Sequence, residues 1–272
     1  MTTRHNRELE QQLNGPDRDT QIEALIRLAT ESQTVLSDAE LEAVVECLGS
    51  DSKAVQRRAS DALAAHAQRD ARVAGAVRGL LKSANSYARW GAAYALGTIG
   101  GDVLDLGALD ALLEALDASD GDLRWAAAQR VVDLGRKNRA EVCGALVALE
   151  HRGTVVARKM ALYCLRDLGA ASDEVRALAE RAASEGGVHL RLAALSLLGT
   201  LGDSSGRAAE TIAQRLENDS DAGVRRSAAA ALGQLGNRSS RVISALRLAA
   251  GRADDESLRR SAMQALRRLG EE

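Results

Sequence analysis

The side chains able to do covalent or metal chemistry are present but scattered. The four histidines are His5, His66, His151 and His189, and no HExxH or other ligand spacing joins them to acids. The three cysteines, Cys47, Cys143 and Cys164, show no CxxC spacing and cannot form a closed disulfide set, which favours a reducing compartment, the cytoplasm. Neither a phosphate-cradling glycine loop nor a nucleophile elbow occurs; Gly100-Gly101-Asp102 reads as a helix end joined to the longest inter-repeat loop. The sequence therefore predicts no catalytic residue, metal site or cofactor. What remains is recognition chemistry. Only five aromatics exist, Tyr87, Trp90, Tyr94, Trp125 and Tyr163, and arginines surround them. Exposed Trp, Tyr and Arg dominate protein-binding hot spots.

A frame must position these side chains, and composition restricts what it is. Phe is absent, Pro occurs once (Pro16) and aromatics make up 2%, which argues against a β-sandwich. The 46% apolar share is mostly Ala, Leu and Val, enough for a core and suited to close helix packing. Net charge is −2, so no global bias toward nucleic acid or anionic lipid exists, although residues 1–50 carry −6 and the remainder +4. No run of about 18 apolar residues suggests a membrane span, and no leader is evident.

Self-similarity supplies the frame. The thirteen-residue segment Val224–Gly236 recurs, with variations, beginning at Val55, Ala88, Leu123, Ala157, Leu190 and Leu258, at steps of 33 to 35 residues. With its positions numbered as slots 1 to 13, slot 5 is Ala in all seven copies and slot 9 is Leu except for Val131. Slots 1, 5, 8, 9 and 12 make one apolar helix face. Invariant Ala predicts a close helix approach, and Gly at slot 13 of six copies predicts a left-handed helix end. On this register His66 (slot 12) and Cys164 (slot 8) belong to the core. Three residues before slot 1 stand Ser52, Asn85, Asp120, Thr154, Gly187, Asp221 and Asp255, all suited to N-caps.

A second amphipathic stretch precedes each copy, for example Leu109, Leu112, Leu113 and Leu116. Each unit is then a hairpin of helix A, turn and helix B, which buries both apolar faces only by stacking. The expected fold is all-α: an α-solenoid, or superhelix, of about seven hairpins, with residues 20–29 as an N-terminal capping helix after an Asn14–Asp17 loop. The expected organisation is an acidic cap over 1–37 and one continuous array over 38–272.

These A-x-x-A-L-G-x-L-G endings, with Arg at slot 2 of six copies (Arg89, Arg124, Arg158, Arg191, Arg225, Arg259; Gln56 departs), resemble HEAT-like repeats, above all the short form of phycobilisome-lyase-type proteins. The resemblance covers about residues 38–270. It implies an Asp–Arg ladder between successive turns, in which Asp120, Asp221 and Asp255 take part and which Ser52, Asn85, Thr154 and Gly187 interrupt. The His-Glu dipeptides by which HEAT-like deoxyhypusine hydroxylases hold iron are absent.

Slots 3, 7, 10 and 14 point away from the apolar face and are expected to line a concave inner surface. Slot 3 reads Arg57, Trp90, Trp125, Lys159, Leu192, Arg226 and Arg260; slot 7 includes Tyr94, Gln129 and Tyr163; slot 10 adds Val132, Arg166 and Arg267. Trp90, Tyr94, Trp125 and Tyr163 are expected as one aromatic patch of desolvated anchors, with Arg57, Gln129, Lys159 and Arg166 supplying orientation and charge. The function expected is a non-catalytic scaffold or adaptor that binds a protein or peptide. Two alternatives use the same face. One is nucleic-acid binding, as in HEAT-like alkylpurine glycosylases; against it, seven basic residues at slots 3, 10 and 14 meet Asp61, Asp203 and Glu271, a modest surplus for phosphate tracking. The other is tetrapyrrole binding, as in phycobilin lyases, with Arg and Lys pairing the propionates.

Overall fold

The computed structural model describes residues 2–31, 35–99, 109–202, 205–252 and 255–271. Among them lie sixteen helices and no strand. The chain divides into two compact units, Met1–Val142 and Cys143–Glu272.

In the first unit four hairpins follow one another: α1 (Thr2–Leu13) with α2 (Arg18–Thr30), α3 (Asp38–Cys47) with α4 (Lys53–Ala67), α5 (Ala71–Leu80) with α6 (Ser86–Ile99), and α7 (Leu109–Ala115) with α8 (Gly121–Lys137). The second members form one layer, α2 on α4 on α6 on α8, while α1, α3 and α5 pack in a second layer. Residues 20–29 thus lie in α2, and α1 precedes it as its hairpin partner. After α9 (Arg139–Arg152), which crosses the boundary between units, the second unit repeats the scheme. Its B layer is α10 (Val155–Asp167), α12 (Val188–Leu198), α14 (Ala222–Leu235) and α16 (Glu256–Leu269); α11 (Asp173–Glu185), α13 (Arg207–Asn218) and α15 (Ser240–Ala250) form its A layer. This is α-solenoid packing within each unit.

The local signals act as the sequence predicts. Ser52, Thr154, Asp221 and Asp255 each accept the backbone N–H three residues on, Asp120 accepts from Asp122 and Leu123, and Asn85 accepts from Tyr87. Gly187 caps α12 without a side-chain bond. The slot-5 alanines, Ala59, Ala92, Ala127, Ala161, Ala194, Ala228 and Ala262, are all 0% exposed. Ala194→Leu is therefore expected to overpack the interface and destabilise the second unit by about 1–3 kcal/mol; a thermal melt followed by circular dichroism checks this, and an unaltered midpoint would remove slot 5 from the helix contact.

Glycine at slot 13 has a mixed outcome. Gly169, Gly236 and Gly270 adopt φ of 61°, 75° and 73°. Gly135 instead continues α8 as a buried helical residue, and Gly202 lies past a helix that already ends at Leu198. Gly100, with the loop expected after it, lies outside the described residues.

The slot-2 arginines serve the hairpin turn more than a ladder. Arg89 donates to the carbonyls of Ser83 and Ala84, Arg124 to those of Ala118 and Ser119, and Arg225 to those of Asp219 and Ser220. They satisfy the carbonyls left over where helix A ends. Gln56 does the same chemistry with an amide: its Nε2 donates to Leu48 O in its own turn and to Tyr87 O in the next hairpin, 3.0 Å each. Arg225 also reaches Asp255 at 3.7 Å, as the ladder requires, even though Asp255 caps α16, while Arg191 takes Asp219 (2.7 Å) rather than Asp221, the cap of α14. Asp120 caps α8.

Candidate partner-binding face

The B layer of the first unit turns slots 3 and 7 outward. Arg57 is exposed and Asp61, Tyr94 and Gln129 are half-buried. The two tryptophans part company here. Trp125 is 65% exposed, whereas Trp90 is only 7% exposed and is not part of an open surface. The cause is the preceding hairpin. Lys53, the first residue of α4, sets Nζ 3.3 Å from the centroid of the Trp90 ring. Tyr94, one turn along α6, stacks on the same indole with centroids 5.3 Å apart and planes 12° apart. Burial pulls the Lys53 ammonium below the usual lysine value; Asp122 and Asp120 at the start of α8 act against this, and Arg57 adds to it. Lys53 sits two residues before slot 1, outside the slots read as outward-facing. The contact is made between hairpins, across 37 residues of chain, where the spacing within one copy says nothing of it.

Beside this stack, Tyr94, Arg57, Arg58, Asp61, Ala54 and Ile22 line a cavity of about 400 Å³ between α2, α4 and α6. Arg58 and Asp61 neutralise one another at 3.2 Å.

In the second unit, Lys159, Tyr163 and Arg166 lie half-buried on α10. The Arg166 guanidinium carbon is 5.0 Å from the Tyr163 ring centroid, Nη1 donates to Ser196 Oγ at 2.8 Å and Nη2 pairs with Asp167 at 2.8 Å. Arg166 is held by its own neighbours, so it stiffens this face and offers only part of its charge. Slot 10 does not face outward throughout. Val132 is 4% exposed, because B helices approach closely there: a Cβ on Gly233 would stand 2.8 Å from Ala265 Cα of the next B helix. At slot 14 Gln68 and Arg136 are exposed and Asn237 and Glu271 half-buried, while Asp203 lies outside the described residues.

Three of the other reactive groups, His66, Cys47 and Cys164, are buried in the helix packing. His66 is 1% exposed, with Nε2 3.2 Å from Leu28 O, tying α4 to α2. Burial, with Glu46 adding to it, pushes the Cys47 thiol up to about 11. Burial pushes Cys164 up to about 12, with Asp167 raising it and Arg166 opposing. Both thiols are protonated at neutral pH and are poor nucleophiles. Among the described residues no cluster of three His, Cys, Asp or Glu is arranged to hold a metal, and no helix is long and apolar enough to cross a membrane.

A family model described as HEAT repeats matches residues 41–132 and 188–267. No curated protein sequence matches the chain. Similar solved structures include the Escherichia coli protein YibA (12% identity over 98% of this chain and 92% of that one, TM-score 0.54) and an engineered protein (21% identity, 96% and 77%, TM-score 0.48). Human deoxyhypusine hydroxylase in complex with glycerol is another (18% identity, 100% and 98%, TM-score 0.40). The first of these shows a shared fold.

Proposed function

The chain belongs to the HEAT-repeat family, and from that premise we propose that it is a non-catalytic interaction scaffold whose B-helix face holds a protein or peptide partner. Trp125 is the central contact in the first unit, with Tyr94, Gln129 and Arg57 around it. Trp90 acts from beneath, by fixing Tyr94 and Lys53. In the second unit Lys159, Tyr163 and Arg166 form the corresponding face. Three cysteines outside any disulfide, two of them buried, accord with a reducing compartment such as the cytoplasm.

One observation carries this reading: the 65% exposure of Trp125 in a protein that packs its helices with Ala and Leu. An indole offers some 200 Å² of largely apolar surface. Covering the exposed part stabilises a complex by about 3 kcal/mol. The test is affinity purification from the native host, identification of the polypeptide retained, and titration of that polypeptide against wild type and Trp125→Ala. The substitution is expected to weaken binding by roughly 30-fold, a hot-spot loss of about 2 kcal/mol, with helicity unchanged. Equal affinity, or salt-dependent retention of DNA in place of a polypeptide, overturns the reading.

A further inference from the structure

We propose that the group received by Trp125 is a cation, an Arg or Lys side chain on a basic segment of the partner. This rests on the scaffold reading above and supplies the chemistry of its central contact.

The molecule contains its own template. In one hairpin the residue two before slot 1, Lys53, lays an ammonium on the slot-3 indole of the next, Trp90. One repeat further the same two positions are Ser86 and Trp125. Serine ends at its hydroxyl, about three heavy atoms short of where a lysine ends, and slot 7 of that helix is Gln129 rather than a stacking tyrosine. The indole lacking both covers is the one that stands open, 65% against 7% exposed. An uncovered indole face is the strongest of the aromatic cation sites.

The local charges select for the same sign. Asp122 is exposed one turn before Trp125 on α8, and Asp120 caps that helix. Both carboxylates already act on the ammonium resting on Trp90, opposing the loss of its proton. Arg57 stands exposed on α4, two hairpins away, and the two arginines on α8 closest to Trp125 in the chain are committed elsewhere. Arg124 is turned to the carbonyls of Ala118 and Ser119, and Arg130 is paired with Asp133 at 3.0 Å. Residues 1–142 hold 17 basic and 22 acidic side chains, a net of −5. Residues 1–50 supply −6 of this, so the unit as a whole favours approach of a basic segment, while at Trp125 itself the sign is set by Asp120 and Asp122.

The probe is a fluorescein-labelled peptide of nine arginines, titrated against the full chain at low salt, with nona-glutamate and a 20-nucleotide single-stranded DNA as comparisons. Arginine-peptide binding is expected to quench tryptophan emission. Trp125→Leu, which keeps an apolar side chain but removes the π face, is expected to weaken binding at least tenfold, and Trp125→Phe to retain part of it. Ser86→Lys, which restores the internal cover, is expected to weaken it as much as Trp125→Leu. Gln68→Lys makes the same charge change at the far end of α4 and is expected to stay within twofold of wild type. Equal losses in Ser86→Lys and Gln68→Lys would mean bulk charge, and would overturn the proposal. So would arginine binding indifferent to Trp125→Leu, or Trp125-dependent binding of nona-glutamate or DNA. Should the identified native partner depend on Trp125 while the arginine peptide does not, the cation assignment fails and the scaffold reading stands; if neither depends on it, both fail.

Discussion

Asp219→Ala is expected to cost the second unit about 3–5 kcal/mol, the loss usual when one member of a buried ion pair is removed. Asp219 closes α13 with its side chain 1% exposed. Arg191 Nε lies 2.7 Å from Oδ2, Arg191 Nη2 donates to Oδ1 at 2.8 Å, and Arg215 stands 3.7 Å away. The carboxylate also accepts the Asp221 N–H at 3.0 Å, while its backbone carbonyl accepts from Arg225. Alanine would leave the Arg191 guanidinium, itself 14% exposed, without its counter-charge at the joint of two hairpins. Urea denaturation measures the loss, and amide exchange should place it in α12, α13 and α14.

The same residue gives the unit an acid limb. Burial alone would raise the Asp219 carboxyl. The Arg191 hydrogen bond, the Asp221 amide and the charges of Arg191 and Arg215 outweigh it and hold the group below the usual 3.8. A depressed folded value means that the contribution is complete above about pH 4 and is lost as pH falls through the lowered value. Glu217, held down by Arg241, acts with the same sign. Asp219→Asn should therefore flatten the decline in stability between roughly pH 4 and pH 2. A variant whose stability falls as steeply as wild type over that range would show that another group carries the acid limb.

Gly91→Ala is expected to destabilise the first unit by about 3 kcal/mol, the upper end of ordinary overpacking. In a free helix the exchange would gain about 1 kcal/mol, so the sign is diagnostic. A Cβ at Gly91 would stand 2.2 Å from Leu48 O, a backbone atom that cannot swing aside because Gln56 holds the same carbonyl. Gly75, on α5 with open space where its Cβ would be, is the control; Gly75→Ala should be neutral or stabilising by up to about 1 kcal/mol. Thermal melts of the two variants should move in opposite directions or by clearly unequal amounts. Equal shifts would show that Leu48 yields.

Gly91 also shows how far the repeat can be read. Slot 4 holds Arg58, Ala126, Met160, Ala193, Ser227 and Ser261 in the other copies, so nothing in the motif asks for glycine there. The need arises only where α6 meets the end of α3. Gly97 faces Arg130, the one large polar residue at slot 8, and a Cβ there would overlap the guanidinium. Gly97 belongs to the glycine that the motif repeats at slot 10 (also Gly199 and Gly233), so only the Gly91 accommodation is invisible to a pattern that averages over the copies.

The sequence alone determined the hairpin period, the helix starts, the fully buried alanine seam and the outward aim of slots 3 and 7. These follow from bonds and spacings within about four residues, which every copy states again. Tertiary structure decided which of two equivalent indoles is open, which aspartate each arginine takes and where glycine must make room. Those outcomes turn on side chains meeting from hairpins some 30 residues apart, where the reach of one lysine or the shortness of one serine sets what solvent can touch.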